Sequence, residues 1–195
     1  LLGEIAKGEG GWDSVNTGRS GDTQVGSGRY QRIFGGRMLS QVSIQEVLDL
    51  QKRDKLFAVG RFQFIPDTLA SAVQATGIDT SRLFDEQSQR ELAVNYLIMQ
   101  KRQNLAGFIT GELPESAINS AINDLCKEWA SLPCTDGSGY YDGDSAGNNA
   151  RKGKYVVNDI KTILLALRNS HQQLRQIILD SANNQGEQSN VRSEE

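Results

Sequence analysis

The sequence predicts an α+β fold, mostly helical, with one small β element near the start. Three observations carry this. Apolar residues recur at three-and-four spacing in several separate segments, the signature of helices with one buried face. A glycine-rich stretch, Gly10 to Gly36, interrupts them early and holds short β-prone pieces around Trp12–Val15 and Thr23–Val25. Finally, 195 residues with 37% hydrophobic side chains are enough for one core.

Taken in order, Leu1 to Gly8 places Leu1, Leu2, Ile5 and Ala6 on one stripe and reads as a helix. Gly10–Gly36 reads as an irregular hairpin. Ser43-Ile44-Gln45-Glu46 has the form of a capping box, opening a helix to about Arg53. Phe57–Ile65 reads as a loop, and Pro66 as the first residue of a helix that Gly77 ends. Asp85 caps the next helix, whose face carries Leu92, Tyr96 and Met99 beside Ala93 and Leu97; its apolar density marks it as the central helix. Pro114 starts another, with Ile118, Ala121, Ile122, Leu125 and Trp129 on its stripe, so Trp129 reads as core. Ser131 to Gly153 is a second long loop. The last helix shows Val156, Ile160, Ile163, Leu164 and Leu167, with a continuation toward Leu174 and Ile178. From Ala182 the residues turn polar, so one domain over residues 1–180 is expected, followed by a disordered tail over 181–195.

Composition excludes several classes of function. Lys+Arg 21 against Asp+Glu 24 gives a net charge of −3, the wrong balance for a nucleic-acid surface. No run of eighteen apolar residues exists to span a membrane. The chain opens Leu1-Leu2-Gly3 without a basic n-region, so no signal peptide is visible, and a domain cut from a longer polypeptide or a processed chain is expected. Cys126 and Cys134, the only cysteines, fit either a bridge formed in an oxidising compartment or two unpaired thiols, with a slight preference for the thiols. Two cysteines and one histidine make no metal-ligand set, and no organic cofactor is implied. Asp142-Gly143-Asp144-Ser145-Ala146-Gly147 opens like a calcium loop but fails at Ala146 and Gly153, and reads as a flexible loop. The lone His171 reads as a packing or surface residue.

The first helix carries the chemistry. One turn beyond Ile5 and Ala6, its apolar stripe arrives at Glu9. A carboxyl group buried there holds its proton to higher pH. Such an acid is what cleavage of a glycosidic bond requires, because the leaving oxygen must be protonated. Gly8, Gly10 and Gly11 let a polymer approach the backbone closely. The plain alternative is a glutamate fraying into water at a helix end.

Further motifs bear on that choice. Phe57-Ala58-Val59-Gly60-Arg61-Phe62-Gln63-Phe64-Ile65-Pro66-Asp67-Thr68 resembles the segment around the Gly-Leu-Met-Gln-Ile-Met-Pro motif of lytic transglycosylases, matching at Gly, Gln, Ile, Pro and Thr. It is equally similar to the Gly-Arg-Tyr-Gln run of lambdoid phage endolysins. Trp129-Ala130-Ser131-Leu132-Pro133, followed by Gly137-Ser138-Gly139-Tyr140-Tyr141, is closer still to that endolysin group. Those endolysins also end a helix in a Glu-Gly pair, like Glu9-Gly10, before an aromatic-Asp step like Trp12-Asp13. The order is kept from Leu1 to about Arg168, so the chain resembles the lysozyme superfamily of peptidoglycan glycosidases.

That resemblance implies a lysozyme-like domain with a cleft between a hairpin lobe and a helical lobe. It implies Glu9 as general acid on the β-1,4 bond from N-acetylmuramic acid to N-acetylglucosamine. Gln63 is expected to grip an N-acetyl group or to fix the carboxyl of Glu9. Phe62 beside it is counted among the substrate contacts, and Tyr140 and Tyr141 are expected to form one cleft wall. Asp22, and after it Asp13, is the candidate second carboxylate that a water-using enzyme needs. Gly21-Asp22 is also a frequent turn pair, so both readings of Asp22 stay open. In the transglycosylase alternative the muramyl 6-hydroxyl attacks and no second carboxylate is needed. The expected place of action is the bacterial periplasm and cell wall, as a phage endolysin, a virion domain or a delivered effector, the last with a protein inhibitor as partner. The rival from another class is a non-catalytic glycan-binding or structural module of a virion or secretion assembly.

Overall fold

The structure is a computed structural model that describes residues 1–18, 21–143 and 154–191, with side chains of the last segment described over 156–183. Eight helices surround a small sheet among these residues. Helix α1 (Leu2–Glu9) leads into strands β1 (Val15–Asn16) and β2 (Asp22–Thr23), which pair antiparallel with Val15 opposite Thr23. The third strand, β3 (Ala58–Val59), lies inside the segment read from sequence as a loop. It pairs with the other edge of β1, giving the order β2-β1-β3. Strands of two residues present too little alternation to be recognised, and long-range pairing alone reveals β3.

The glycine-rich stretch is only partly a hairpin. Helix α2 (Gly28–Phe34) occupies its second half, a correction to the expected reading. Ser27 caps it by accepting from the Tyr30 backbone N–H at 3.3 Å. Tyr30 and Phe34, four residues apart, are both fully buried, with ring centroids 4.8 Å apart. Two buried aromatics on one helical face outweigh the local glycine content.

Later elements follow the expected caps. Ser43 accepts from Glu46 N at the start of α3 (Ile44–Lys52), and Pro66 opens α4 (Pro66–Thr76) with Gly77 after it. Asp85 accepts from Ser88 N to start α5 (Glu86–Leu92), which widens into a π-helical stretch over Ala93–Lys101. Helix α6 (Gln103–Thr110) was not anticipated. It packs on α7 (Ile118–Glu128), on α8 (Lys154–Val191) and on the π-helical stretch, and buries Leu105 and Phe108 completely. Pro114 precedes a short 3-10 turn, Glu115–Ala117, from which α7 grows.

Arg168 ties α8 to the body: its Nη1 donates to Phe108 O and Leu113 O, each at 2.7 Å. Beyond that point α8 remains helical, but Leu174, Ile177, Ile178 and Leu179 are exposed, so the stripe continues without a covering partner among the described residues. The helix extends past Ala182 to Val191. The calcium-like segment falls mostly on residues 144–153, outside those described. Among the described residues no helix is long and apolar enough to cross a membrane.

Cys126 and Cys134 are bonded to each other, with Cα atoms 5.2 Å apart, which corrects the preference for free thiols. The bridge joins the last turn of α7 to the loop that follows. Eight-residue spacing does not decide between a bridge and two free thiols, because only the fold of that loop brings the Cα atoms together.

Candidate active site

Glu9 ends α1, whose inner face buries Ile5 and Ala6. Its side chain reaches not into water but to the loop after α7, 122 residues away in sequence. There the Ser131 hydroxyl donates to Glu9 Oε1 at 2.5 Å, and the Ser131 backbone N–H donates to the same oxygen at 3.2 Å. Burial raises the Glu9 pKa above the usual carboxylate value, and the two Ser131 hydrogen bonds partly oppose that rise because they favour the charged form. The C-terminal end of α1 also disfavours a negative charge at this position. Among the described residues no hydrogen bond engages Oε2.

Ser131 is held by its surroundings rather than by its own contacts. Trp129 on one side is almost fully buried, its indole N–H donating to Phe62 O at 3.3 Å, and Leu132 on the other is completely buried. The Cys126–Cys134 bridge and the pairing of Pro133 with Gly139 close the loop behind it. Gly8 permits the contact: a Cβ at this position would lie 2.2 Å from Ser131 Cβ. Only the absence of a side chain at residue 8 allows helix and loop to approach so closely.

Glu9 lines a cavity of about 410 Å³ together with Asp22, Thr23, Val25 and Gln63. The sheet lobe supplies one wall and the end of α1 another. Asp22, on β2, is exposed, and its Oδ1 accepts from the Asn16 side chain at 3.0 Å across the strand pair. Asp13, the second choice for a catalytic carboxylate, is engaged elsewhere. Its carboxylate accepts from Ser40 N at 2.8 Å, and its carbonyl accepts from the Tyr30 hydroxyl, so Asp13 serves the packing of α2.

Gln63 has an uncommon backbone conformation for a residue with a side chain, φ 50°. Its Nε2 donates to Gly60 O at 2.8 Å and not to Glu9, so the carboxyl-fixing role expected of Gln63 falls to Ser131. The turn that carries it is clamped by Gln89, completely buried: Nε2 donates to Trp12 O and Phe84 O, and Oε1 accepts from Arg61 N. A Cβ on Gly60 would come within 2.3 Å of that Oε1. Gln89 thereby joins the start of the sheet lobe, the Gly60–Gln63 turn and α5.

Phe62 lies outside the Glu9 cavity and borders the smaller cavity beside it. Its ring is 2% exposed and packs edge-on against Trp12 and Phe64, so it is a core residue. The tyrosines are also displaced from their expected place. Neither lines the Glu9 cavity; Tyr141 lines a neighbouring cavity of about 130 Å³, and Gln63 forms a wall common to both. Tyr140 projects outward, 53% exposed, its ring 5.0 Å from that of Tyr141. Thus the structure brings together Glu9, Asp22 and Gln63, places Phe62 and Tyr141 at the neighbouring cavity, and engages Asp13 elsewhere. The sequence reading assigned no role to Ser131 or Gln89. The Trp129–Pro133 motif is the one signal that could have pointed to Ser131; for Gln89 there is none.

Comparison of the chain with family models, with curated proteins and with solved structures finds no match.

Proposed function

We propose that the chain is a lysozyme-like glycosidase that cuts the β-1,4 bond between N-acetylmuramic acid and N-acetylglucosamine in bacterial peptidoglycan, with Glu9 as general acid. The observation that carries this reading is the placement of Glu9: a partly buried carboxyl group, its pKa raised, its orientation set by Ser131, on the wall of a cavity shared with Asp22 and Gln63.

The chemistry follows from that geometry. Glu9 gives its proton to the glycosidic oxygen as the C1–O bond breaks, and the sugar passes through an oxocarbenium-like state. The resulting carboxylate is stabilised by the two Ser131 hydrogen bonds to Oε1, and its other oxygen is free to act as a base. The muramyl 6-hydroxyl then attacks C1 and returns its proton to Glu9, yielding a 1,6-anhydro sugar. A second reading, hydrolysis with Asp22 activating a water, draws support from Asp22 lining the same cavity.

Mass spectrometry of digested sacculi tests both. Anhydro-muropeptides support the first course and reducing ends the second. Intact sacculi after prolonged incubation would sink the enzymatic reading in favour of a binding module.

A further inference from the structure

The small cavity beyond Gln63 has a charge opposite to that of the chain. Its ionisable walls include Lys101, Arg102 and Lys127 against the single carboxylate of Glu128, in a protein whose net charge is −3. Glu128 has a side chain only 6% exposed, and both its oxygens are occupied: Lys101 Nζ donates to Oε1 at 2.9 Å and Arg102 Nε to Oε2 at 2.8 Å. Arg102 Nη2 also donates to Lys127 O at 3.0 Å. These bonds fix two cations in place while neutralising only one of them. Lys127 remains: exposed, its ammonium 5.8 Å from the Tyr140 ring centroid, with no hydrogen bond to a side chain or carbonyl among the described residues. The Tyr141 hydroxyl donates to the Lys127 carbonyl at 2.8 Å and so secures its backbone.

We infer that this cavity is a subsite for a carboxylate carried on the muramyl unit of the glycan, with Lys127 as its principal contact and Lys101 and Arg102 completing the positive field. The inference rests on the glycosidase reading for the identity of the polymer. Because Gln63 borders both cavities, a strand lying over Glu9 brings the substituents of an adjoining ring to the basic one. At about 130 Å³ it is smaller than the Glu9 cavity of about 410 Å³, and it has room for a carboxylate. Cations already ordered by Glu128 lose little freedom when such a group arrives. Two sources provide this chemistry: the acidic residues of the peptide stem, or the free lactyl carboxylate where the stem is missing.

Binding by the Glu9→Gln protein, which keeps the groove without the acid, tests the inference on three soluble ligands. These are stem-bearing strands, strands stripped of stems by an amidase, and N-acetylglucosamine oligomers with no carboxylate. The carboxylate-bearing ligands should bind roughly threefold to tenfold tighter than the neutral oligomer. Adding Lys127→Gln should close that gap, and Lys127→Arg should restore it; Lys127 is the position of choice because Lys101 and Arg102 hold the buried Glu128. A gap closed only for stem-bearing strands assigns the stem, and one closed only for stripped strands assigns the lactyl group. No gap, or a gap that Lys127→Gln leaves unmoved, overturns the subsite. Lysis by the unaltered protein is followed in parallel. Lysis without the gap removes the subsite and leaves the glycosidase reading; the gap without lysis does the reverse.

Discussion

Two carboxylates face one cavity, and they are held in opposite ways. Glu9 is partly buried and gripped by a residue 122 positions further along the chain; Asp22 is exposed and bonded to Asn16 on the neighbouring strand. The first arrangement needs the whole tertiary structure, and its burial raises the Glu9 pKa against the opposing pull of the Ser131 hydrogen bonds. The second needs only a two-strand pairing. Position on the wall of a cleft therefore does not by itself perturb a carboxyl group; desolvation does.

The largest expected effect is at Glu9. Glu9→Gln keeps an oxygen to accept both Ser131 hydrogen bonds but has no proton to give, so turbidity loss on purified sacculi should fall by about 10²–10⁴-fold. Equal lysis by both forms would refute the assignment. The same variant has a second consequence. The raised Glu9 pKa means that the folded state binds this proton more tightly than the unfolded state does. Its stabilising contribution is thus present in acid, below the ordinary carboxylate range, and is lost as pH rises through the folded value. Thermal unfolding should show Glu9→Gln gaining on the parent as pH approaches neutrality.

Next comes the contact between helix and loop. Gly8→Ala pushes a methyl group into Ser131, and such overpacking costs about 1–3 kcal/mol. Lysis should drop with it, while Gly3→Ala, whose Cβ meets nothing within 4 Å, should leave melting temperature and lysis close to the parent's. Removing the Cys126–Cys134 bridge, by reduction or by replacing both cysteines with serine, should cost about 2–3 kcal/mol in denaturant titrations, given the short loop it closes.

Ser131→Ala should have a subtler outcome. Both side-chain and backbone bonds from Ser131 lower the Glu9 pKa, and this variant removes the hydroxyl. The alkaline limb of the pH–rate profile should move to higher pH; a shift to lower pH would contradict the electrostatic account. The smallest effect is expected at the second carboxylate. Under the anhydro-forming course Asp22→Asn changes the rate by less than about tenfold, since no step requires its charge. A loss as large as that of Glu9→Gln would make the two carboxylates partners and favour hydrolysis.

Much of the helical framework was legible because caps and apolar stripes are local. Ser43, Pro66 and Asp85 each satisfy or dispense with a backbone N–H within their own first turn, and Leu92 and Leu97 fall on a buried face whatever lies opposite. Helix α2 and strand β3 were not legible: the one hides among glycines, the other is two residues long. Within the site, Glu9 and Gln63 could be singled out from their motifs, yet their partners could not. A hydrophobic-looking Phe beside a candidate binding residue gave no sign that it turns inward, and Asp13 gave none that Ser40 would occupy it.

The sequence by itself determined where α3, α4 and α5 start, since capping acts over a few residues, and it singled out the one glutamate at the end of a buried stripe. The tertiary structure decided which groups meet that glutamate. Ser131 lies 122 residues away, and its hydroxyl reaches Oε1 only because Gly8 lets the chains touch while Trp129 and the disulfide hold the loop. Desolvation depends on what surrounds a group in three dimensions, so the raised pKa of Glu9 does not exist until the chain has closed around it.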